Sequence, residues 1–181
     1  MEYIKRNRMD IEILDNLWEK RHFHQDIEIL YALDGVFKLE IGNREVILRK
    51  DDIYVINANK PHGILSLEEG LMVKLSVTYR LFSDVFVDQP LFFLCDSTSG
   101  ETEKYRKLRS SINRLLRFFL KNLGSRASLR YVALCYDVLD ILAENFLAHV
   151  PEKKRTETYD KIDVRIDAIN NYIGSNYSQP L

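Results

Sequence analysis

HFHQDIEILYALDGVFKLEIGNREVIL, residues 22–48, is the stretch whose reading decides the fold. Within it apolar and polar residues alternate with a period of two, and turn chemistry interrupts the alternation at short intervals, which is the pattern of an antiparallel β unit. Strands are expected over 28–33 and 36–41 on either side of Asp34-Gly35, a pair suited to the positive-φ positions of a tight hairpin. Gly42-Asn43, between Ile41 and Arg44, suits a second hairpin leading into a strand over 44–48.

The pattern continues outward on both sides, from about Ile11 to Val77. Lys50-Asp51 turns the chain into a strand over 52–56, residues 57–61 form a loop ending at His62, and further strands are expected over 63–67 and 71–77. Seven or eight short strands joined by tight turns avoid open edges by closing into a barrel or a double-sheet jelly roll. Such a barrel encloses a small cavity. Ile27, Ile29, Tyr31 and Leu33, on the outer parity of their strand, are expected to pack against helices, because a strand covered on both faces reads as nearly continuous apolar sequence.

Beyond Pro90 and the polar run 96–102 the period changes. Tyr105, Leu108, Ile112, Leu115, Leu116 and Phe119 recur at helical spacing, and this helix should end near Gly124. Leu129, Val132, Tyr136, Leu139, Leu142 and Phe146 mark a second helix, antiparallel to the first because the connection is short. Leu134, Cys135, Val138 and Ile141 widen its apolar stripe beyond what one partner covers, so the surplus faces the barrel, a second subunit, or both. Residues 151–158, PEKKRTET, have the composition of a linker. Ile162, Ile166, Ile169 and Ile173 then share one face of a short helix with nothing in the following sequence to cover it, so the natural protein is expected to continue. The domain reading is a barrel over 1–95, a helical region over 96–150, a linker over 151–160 and the start of a second module over 161–181.

Lys and Arg number 26 against 27 Asp and Glu. That balance gives no overall positive field to hold a polyanion, and the set Arg106, Lys107, Arg109, Arg114, Arg117 and Lys121 reads as a solvated helix face. The two cysteines, Cys95 and Cys135, form no C-x-x-C pair and read as buried small hydrophobes in a reducing, cytoplasmic compartment. No stretch approaches the roughly 20 apolar residues of a membrane span.

The pattern with chemical content is His22-x-His24-x3-Glu28-x6-Gly35, joined later by His62. Residues two apart on a strand share a face, so both His22 and His24 can point into the lumen. Glu28 can enter from the adjoining strand and His62 from the other half of the barrel. Three imidazoles and a carboxylate suit a divalent Zn, Ni, Fe or Mn ion. The other reading makes the same four residues polar contacts for an organic ligand or hydrogen-bonded residues of the lumen. Trp18 shares strand parity with His22 and His24 and is a candidate platform for a sugar ring, with plain core packing as the alternative. Tyr54 is a further ligand-contact candidate.

The spacing resembles the first motif of the cupin superfamily, with Asn16 where that motif opens on glycine. The second motif, of the form G-D … P-G-x-x-H, is represented by Asp51-Asp52 and Asn59-Lys60-Pro61-His62. The runs EILYALDG, 28–35, and DDIYVINANKPH, 51–62, are also similar to the sensor domain of AraC-type transcription regulators. RIDAINNYIGSNYSQPL, 165–181, is similar to the opening helix of that family's helix-turn-helix domain. The resemblance implies a cupin-like barrel that binds a small effector such as a sugar, a homodimer formed through helices in 103–149, and DNA contact only through a C-terminal domain cut off here at its start. It implies no enzymatic activity and no required cofactor. The rival from another class is a metal-dependent cupin enzyme, an isomerase or dioxygenase, and a third reading is a dimerisation module with an empty barrel.

Overall fold

The computed structural model describes residues 9–78, 81, 91–122 and 128–148. The chain divides into two compact units, Met1–Ala148 and His149–Leu181. The expected linker over 151–160 and helix over 161–181 lie outside the described residues.

Among the described residues of the first unit eight strands form: β1 (Asp10–Asp15), β2 (Trp18–His22), β3 (Ile27–Asp34), β4 (Phe37–Ile41), β5 (Arg44–Leu48), β6 (Ile53–Ile56), β7 (His62–Ser66) and β8 (Leu71–Val77). They assemble as two antiparallel sheets, ordered β1-β8-β3-β6 and β2-β7-β4-β5. Alternation decides what each face meets. Leu30, Phe37, Leu39, Leu48, Ile56, Ile64 and Met72, from both sheets, form one apolar cluster between them. Ile27, Ile29, Tyr31, Ile53, Val55, Val73 and Leu75 point the other way and form a second cluster with the helices. β3 is therefore buried on both faces, which is why it reads as almost unbroken apolar sequence.

One expected hairpin is replaced by a crossover. β3 and β4 lie in different sheets, so Asp34-Gly35 is a corner that carries the chain from one sheet to the other. Gly35, at φ 82°, abuts a second turn so closely that a Cβ there would sit 2.6 Å from the Glu69 carbonyl oxygen. Close backbone contact, more than hairpin geometry, requires glycine at this position. The hairpin at Gly42-Asn43 does form, with Ile41 paired to Arg44.

Two helices follow, α1 (Glu103–Lys121) and α2 (Leu129–Phe146). Ser128 caps α2, its side chain accepting from the Tyr131 amide at 3.0 Å. The buried face of α2 is Tyr131, Leu134, Cys135, Val138, Leu139, Leu142 and Phe146. Leu129, 90% exposed, and Tyr136 fall outside it, contrary to the sequence expectation. The helix is rotated toward what looked like surplus: Leu134, Cys135 and Val138 join the cluster that holds the outer face of the first sheet and the buried face of α1.

The free edge of β6 is covered. The Val55 amide donates to the Cys95 carbonyl at 2.9 Å and the Ile53 amide to Ser97 Oγ at 2.7 Å. Asn57 binds the Phe93 backbone in both directions, at 2.9 and 2.7 Å. These bonds occupy edge groups that would otherwise template pairing with another chain. Cys95 and Cys135 are buried and form no disulfide, and burial pushes the Cys95 thiol up to about 12, so it stays protonated and inert. Among the described residues no helix is long and apolar enough to cross a membrane.

Candidate metal centre

His22 ends β2 and His62 begins β7, and the two are cross-strand partners in one sheet. Glu28 reaches them from β3 of the other sheet, and His24 lies in the segment between β2 and β3. His62 therefore comes from the same half of the barrel as His22, and the carboxylate is the group that crosses the lumen.

A bulge sets this arrangement. Glu19 pairs with Ile64 and His22 with His62, so Lys20 and Arg21 together oppose Gly63 alone. The extra residue reverses the alternation, and Glu19 and His22 both face inward although two residues, Lys20 and Arg21, separate them. Gly63 makes room for the bulge, since a Cβ there would meet the Glu19 carbonyl oxygen at 3.1 Å and the Arg21 nitrogen at 3.2 Å. Trp18 is consequently turned outward, 66% exposed, with the Lys20 ammonium 5.3 Å from its ring centroid. Its expected shared parity with His22 fails for this reason, and it contributes nothing to the lumen. Tyr54 does lie inside, buried in the cluster between the sheets.

Each histidine has its Nδ1 against a backbone carbonyl two residues away: His22 to Lys20 at 2.9 Å, His24 to Asp26 at 3.1 Å and His62 to Lys60 at 2.7 Å. A carbonyl oxygen only accepts, so each Nδ1 carries the proton and each neutral ring keeps its lone pair on Nε2. The histidine ligand atoms gather within 4.8 Å of one another. Glu28 sets one oxygen 3.2 Å from His24 Nε2 and the other 3.3 Å from His62 Nε2. Among the described residues, His24 Nε2, His62 Nε2 and Glu28 Oε2 are buried without a hydrogen-bond partner.

Lone pairs converging on a carboxylate repel unless a cation intervenes, either a proton or a metal ion. Without metal the proton takes this place. Burial alone lowers the His62 pKa, but the Glu28 carboxylate 3.3 Å away, the Lys60 carbonyl and the charge of Glu19 outweigh it and raise the value above the usual 6.5. Burial likewise raises Glu28, and His62, Lys74 and His24 outweigh it to hold the carboxyl below its usual 4.5. The donor set fits a divalent ion: nitrogens already in the ligating tautomer, their second nitrogens fixed by carbonyls, and an ionised carboxylate beside them.

Two charged residues that the sequence reading missed adjoin this centre. Lys74, only 8% exposed, pairs with Glu19 at 2.7 Å and with Glu12 at 3.1 Å. The signal was available: Lys74 shares strand parity with Met72 and Ser76 in LMVKLSV, which makes it an inward charge. Glu19 carried no such signal, because its direction depends on the bulge.

The departures from the cupin glycines share one cause. Asn16, Asp51 and Asn59 have φ of 45°, 69° and 59°. Asn and Asp tolerate this left-handed region better than other side chains, so the loops keep their path without glycine. The Asn59 amide donates to the His24 carbonyl at 2.8 Å, tying the two histidine-bearing loops together.

Residues 15–78 match the cupin domain family, a span that takes in β2 to β8 and neither helix. Together with the two sheets and the helix pair, this identifies the architecture as a cupin barrel followed by two helices. No curated protein matches the chain. Among solved structures, a conserved protein of unknown function from Streptococcus pyogenes is 18% identical, with 39% of this chain and 64% of that one covered and a TM-score of 0.37. An RmlC-like cupin from Shewanella frigidimarina is 14% identical over 44% of this chain and 73% of that one, TM-score 0.38. KdgF from Halomonas sp. is 21% identical over 44% and 77%, TM-score 0.38. The chain thus spans less than two thirds of the first of these, and likenesses so distant say nothing of what it binds.

Proposed function

We propose, from the premise that residues 15–78 form a cupin domain, that the barrel is a metal-dependent small-molecule sensor. His22, His24, Glu28 and His62 hold a divalent ion, and a small effector binds beside it. The observation that carries this reading is the set of three Nδ1–carbonyl contacts, which leaves Nε2 as the ligating nitrogen of each ring, with the histidine ligand atoms within 4.8 Å of one another and Glu28 beside His24 and His62. A divalent ion there supplies an electrophilic point that holds and polarises an oxygen-bearing ligand. Tyr54 is a second contact for that ligand from within the barrel.

The resemblance of 28–35, 51–62 and 165–181 to AraC-type regulators supports placing this sensor upstream of a DNA-binding domain in a cytoplasmic homodimer. In that reading the effector acts by binding one arrangement of the dimer more tightly than another. A second reading, a metal-dependent enzyme, is favoured by one observation: Glu19 keeps a buried carboxylate oxygen with no hydrogen-bond partner among the described residues, which is equipment for accepting a proton.

Elemental analysis of the full chain purified without chelator tests the centre. About one equivalent of a divalent metal is expected, lost in His62→Ala; wild-type protein that takes up none sinks the metal reading. Mass spectrometry of a bound small molecule before and after incubation separates sensor from enzyme. Recovery unchanged supports the sensor, and conversion to product supports the enzyme.

A further inference from the structure

The Lys74–Glu19 pair bridges the two sheets. Lys74 stands on β8, paired with Leu30 of the inner cluster, and Glu19 stands on β2, paired with Ile64 of the same cluster. The bridge adjoins the histidine centre along the strands: Glu19 pairs with Ile64 where His22 pairs with His62, and Lys74 pairs with Leu30 where Ser76 of the same strand pairs with Glu28. The inference that follows rests on the metal centre proposed above and names the kind of ligand that site takes.

We infer that Glu19, held by Lys74, is the specificity-determining residue of the lumen, and that it selects a small, uncharged, hydroxyl-bearing ligand over a carboxylate or a phosphate. The first ground is the state of Glu19 itself. Its Oε1 accepts from Lys74 at 2.7 Å, while its Oε2 is buried with no partner among the described residues. A buried acceptor left unmatched costs free energy, so it rewards a ligand that brings a donor.

The second ground is charge. Lys74 is the buried cation inside the barrel, and Glu19 and Glu12 already engage it. An anionic ligand would find that ammonium already engaged and would set its own charge against the Glu19 and Glu28 carboxylates, Glu12 being half exposed. An uncharged donor meets the Glu19 oxygen without that repulsion, and a cationic amine meets Lys74 and the divalent ion as like charges. Sites built around a hydroxyl donor discriminate strongly against molecules lacking it, because the acceptor is then left unpaired.

The test uses the full chain loaded with Co2+, whose visible absorption reports ligand binding at the centre. The probes are glycerol and D-sorbitol as neutral donors, oxalate and inorganic phosphate as anions, and ethanolamine as a cationic donor, each titrated in the millimolar range so that non-specific osmolyte stabilisation stays small. Saturable shifts with the polyols and weaker ones with the anions and ethanolamine are expected. Glu19→Gln should weaken the polyols at least about fivefold and strengthen oxalate, as befits a lost hydrogen bond of roughly 1 kcal/mol and a removed like charge. Lys74→Met should weaken the polyols too, and its melting curve shows whether it folds; Glu19→Gln keeps the Lys74 contact and decides the matter alone if it does not. Anions bound as well as polyols, no saturable binding, or a Glu19→Gln variant indistinguishable from wild type overturns the inference. If wild type takes up no Co2+, the metal reading fails separately, and the same panel is read by thermal shift on the metal-free protein, with the same outcomes deciding.

Discussion

Glu28 Oε2 and His62 Nε2 lie 3.3 Å apart, both buried, with no hydrogen-bond partner among the described residues. They come from different sheets, and the Lys60 carbonyl fixes the imidazole so that a lone pair faces the carboxylate. The contact is favourable only with a positive charge between the two atoms, and several consequences can be measured.

The first concerns metal affinity. Glu28→Gln puts an amide donor where the carboxylate stood, and His62→Ala removes a nitrogen whose orientation is already set. Groups one bond removed from a metal are worth roughly 10–100-fold in affinity, so loss of a direct ligand should raise the dissociation constant for Zn2+ by about 100-fold or more. Competition with a chromophoric chelator reads this directly; an affinity unchanged in both variants would falsify the assignment.

The metal-free protein should respond to pH in the opposite sense from the loaded one. His62, raised above 6.5, contributes stability that is complete below that pH and lost as pH rises through its folded value. Glu28, held below 4.5, contributes stability that is present above that pH and lost as pH falls through its folded value. The pair therefore stabilises the metal-free barrel most between 4.5 and 6.5. Metal needs neutral imidazoles, so the rise in Tm on adding Zn2+ should grow from about pH 5.5 to about pH 8. Calorimetry with and without Zn2+ across that range checks both signs, and a Zn2+ effect that shrinks with rising pH is the contrary result.

Asn59, at φ 59°, is expected to behave as a glycine substitute. Asn59→Gly should be neutral or stabilise slightly, whereas Asn59→Val should cost about 1–3 kcal/mol by forcing a β-branched residue into the left-handed region. Urea unfolding distinguishes the two, and equal stability of both variants would mean that the loop does not hold this conformation in solution.

The rotation of α2 can be tested by a pair of truncations. Leu134 is buried in the cluster shared with the sheet, while Leu129 is 90% exposed. Leu134→Ala should cost about 2–5 kcal/mol and Leu129→Ala less than about 0.5 kcal/mol. The reverse order would put the other stripe of the helix on the barrel.

Trp18→Ala should leave Zn2+ affinity and ligand binding unchanged, because the ring stands on the outer face of its sheet. A loss of binding in this variant, with the melting temperature preserved, would return Trp18 to the lumen.

Much of this molecule was legible before folding. The period-two alternation, the change to helical spacing after the polar run at 96–102, and the outward assignment of Ile27, Ile29 and Tyr31 all depend on neighbours in sequence, and the structure keeps them. The gathering of His22, His24, Glu28 and His62 was also readable, because the spacing of the first three and the loop before the fourth are local features. What could not be read was set by contacts between distant segments. The bulge opposite Gly63 turns Trp18 out and Glu19 in, the corner at Gly35 exists because another turn packs against it, and the stripe that α2 buries is the one that joins the cluster of sheet and helix residues. Sequence by itself determined the elements and the ligand types, since periodicity and residue chemistry are properties of the chain. Tertiary structure alone decided parity, register and the partners of each charge, because a single extra residue in a strand reverses every side chain beyond it, and only the packed neighbours say where that residue falls.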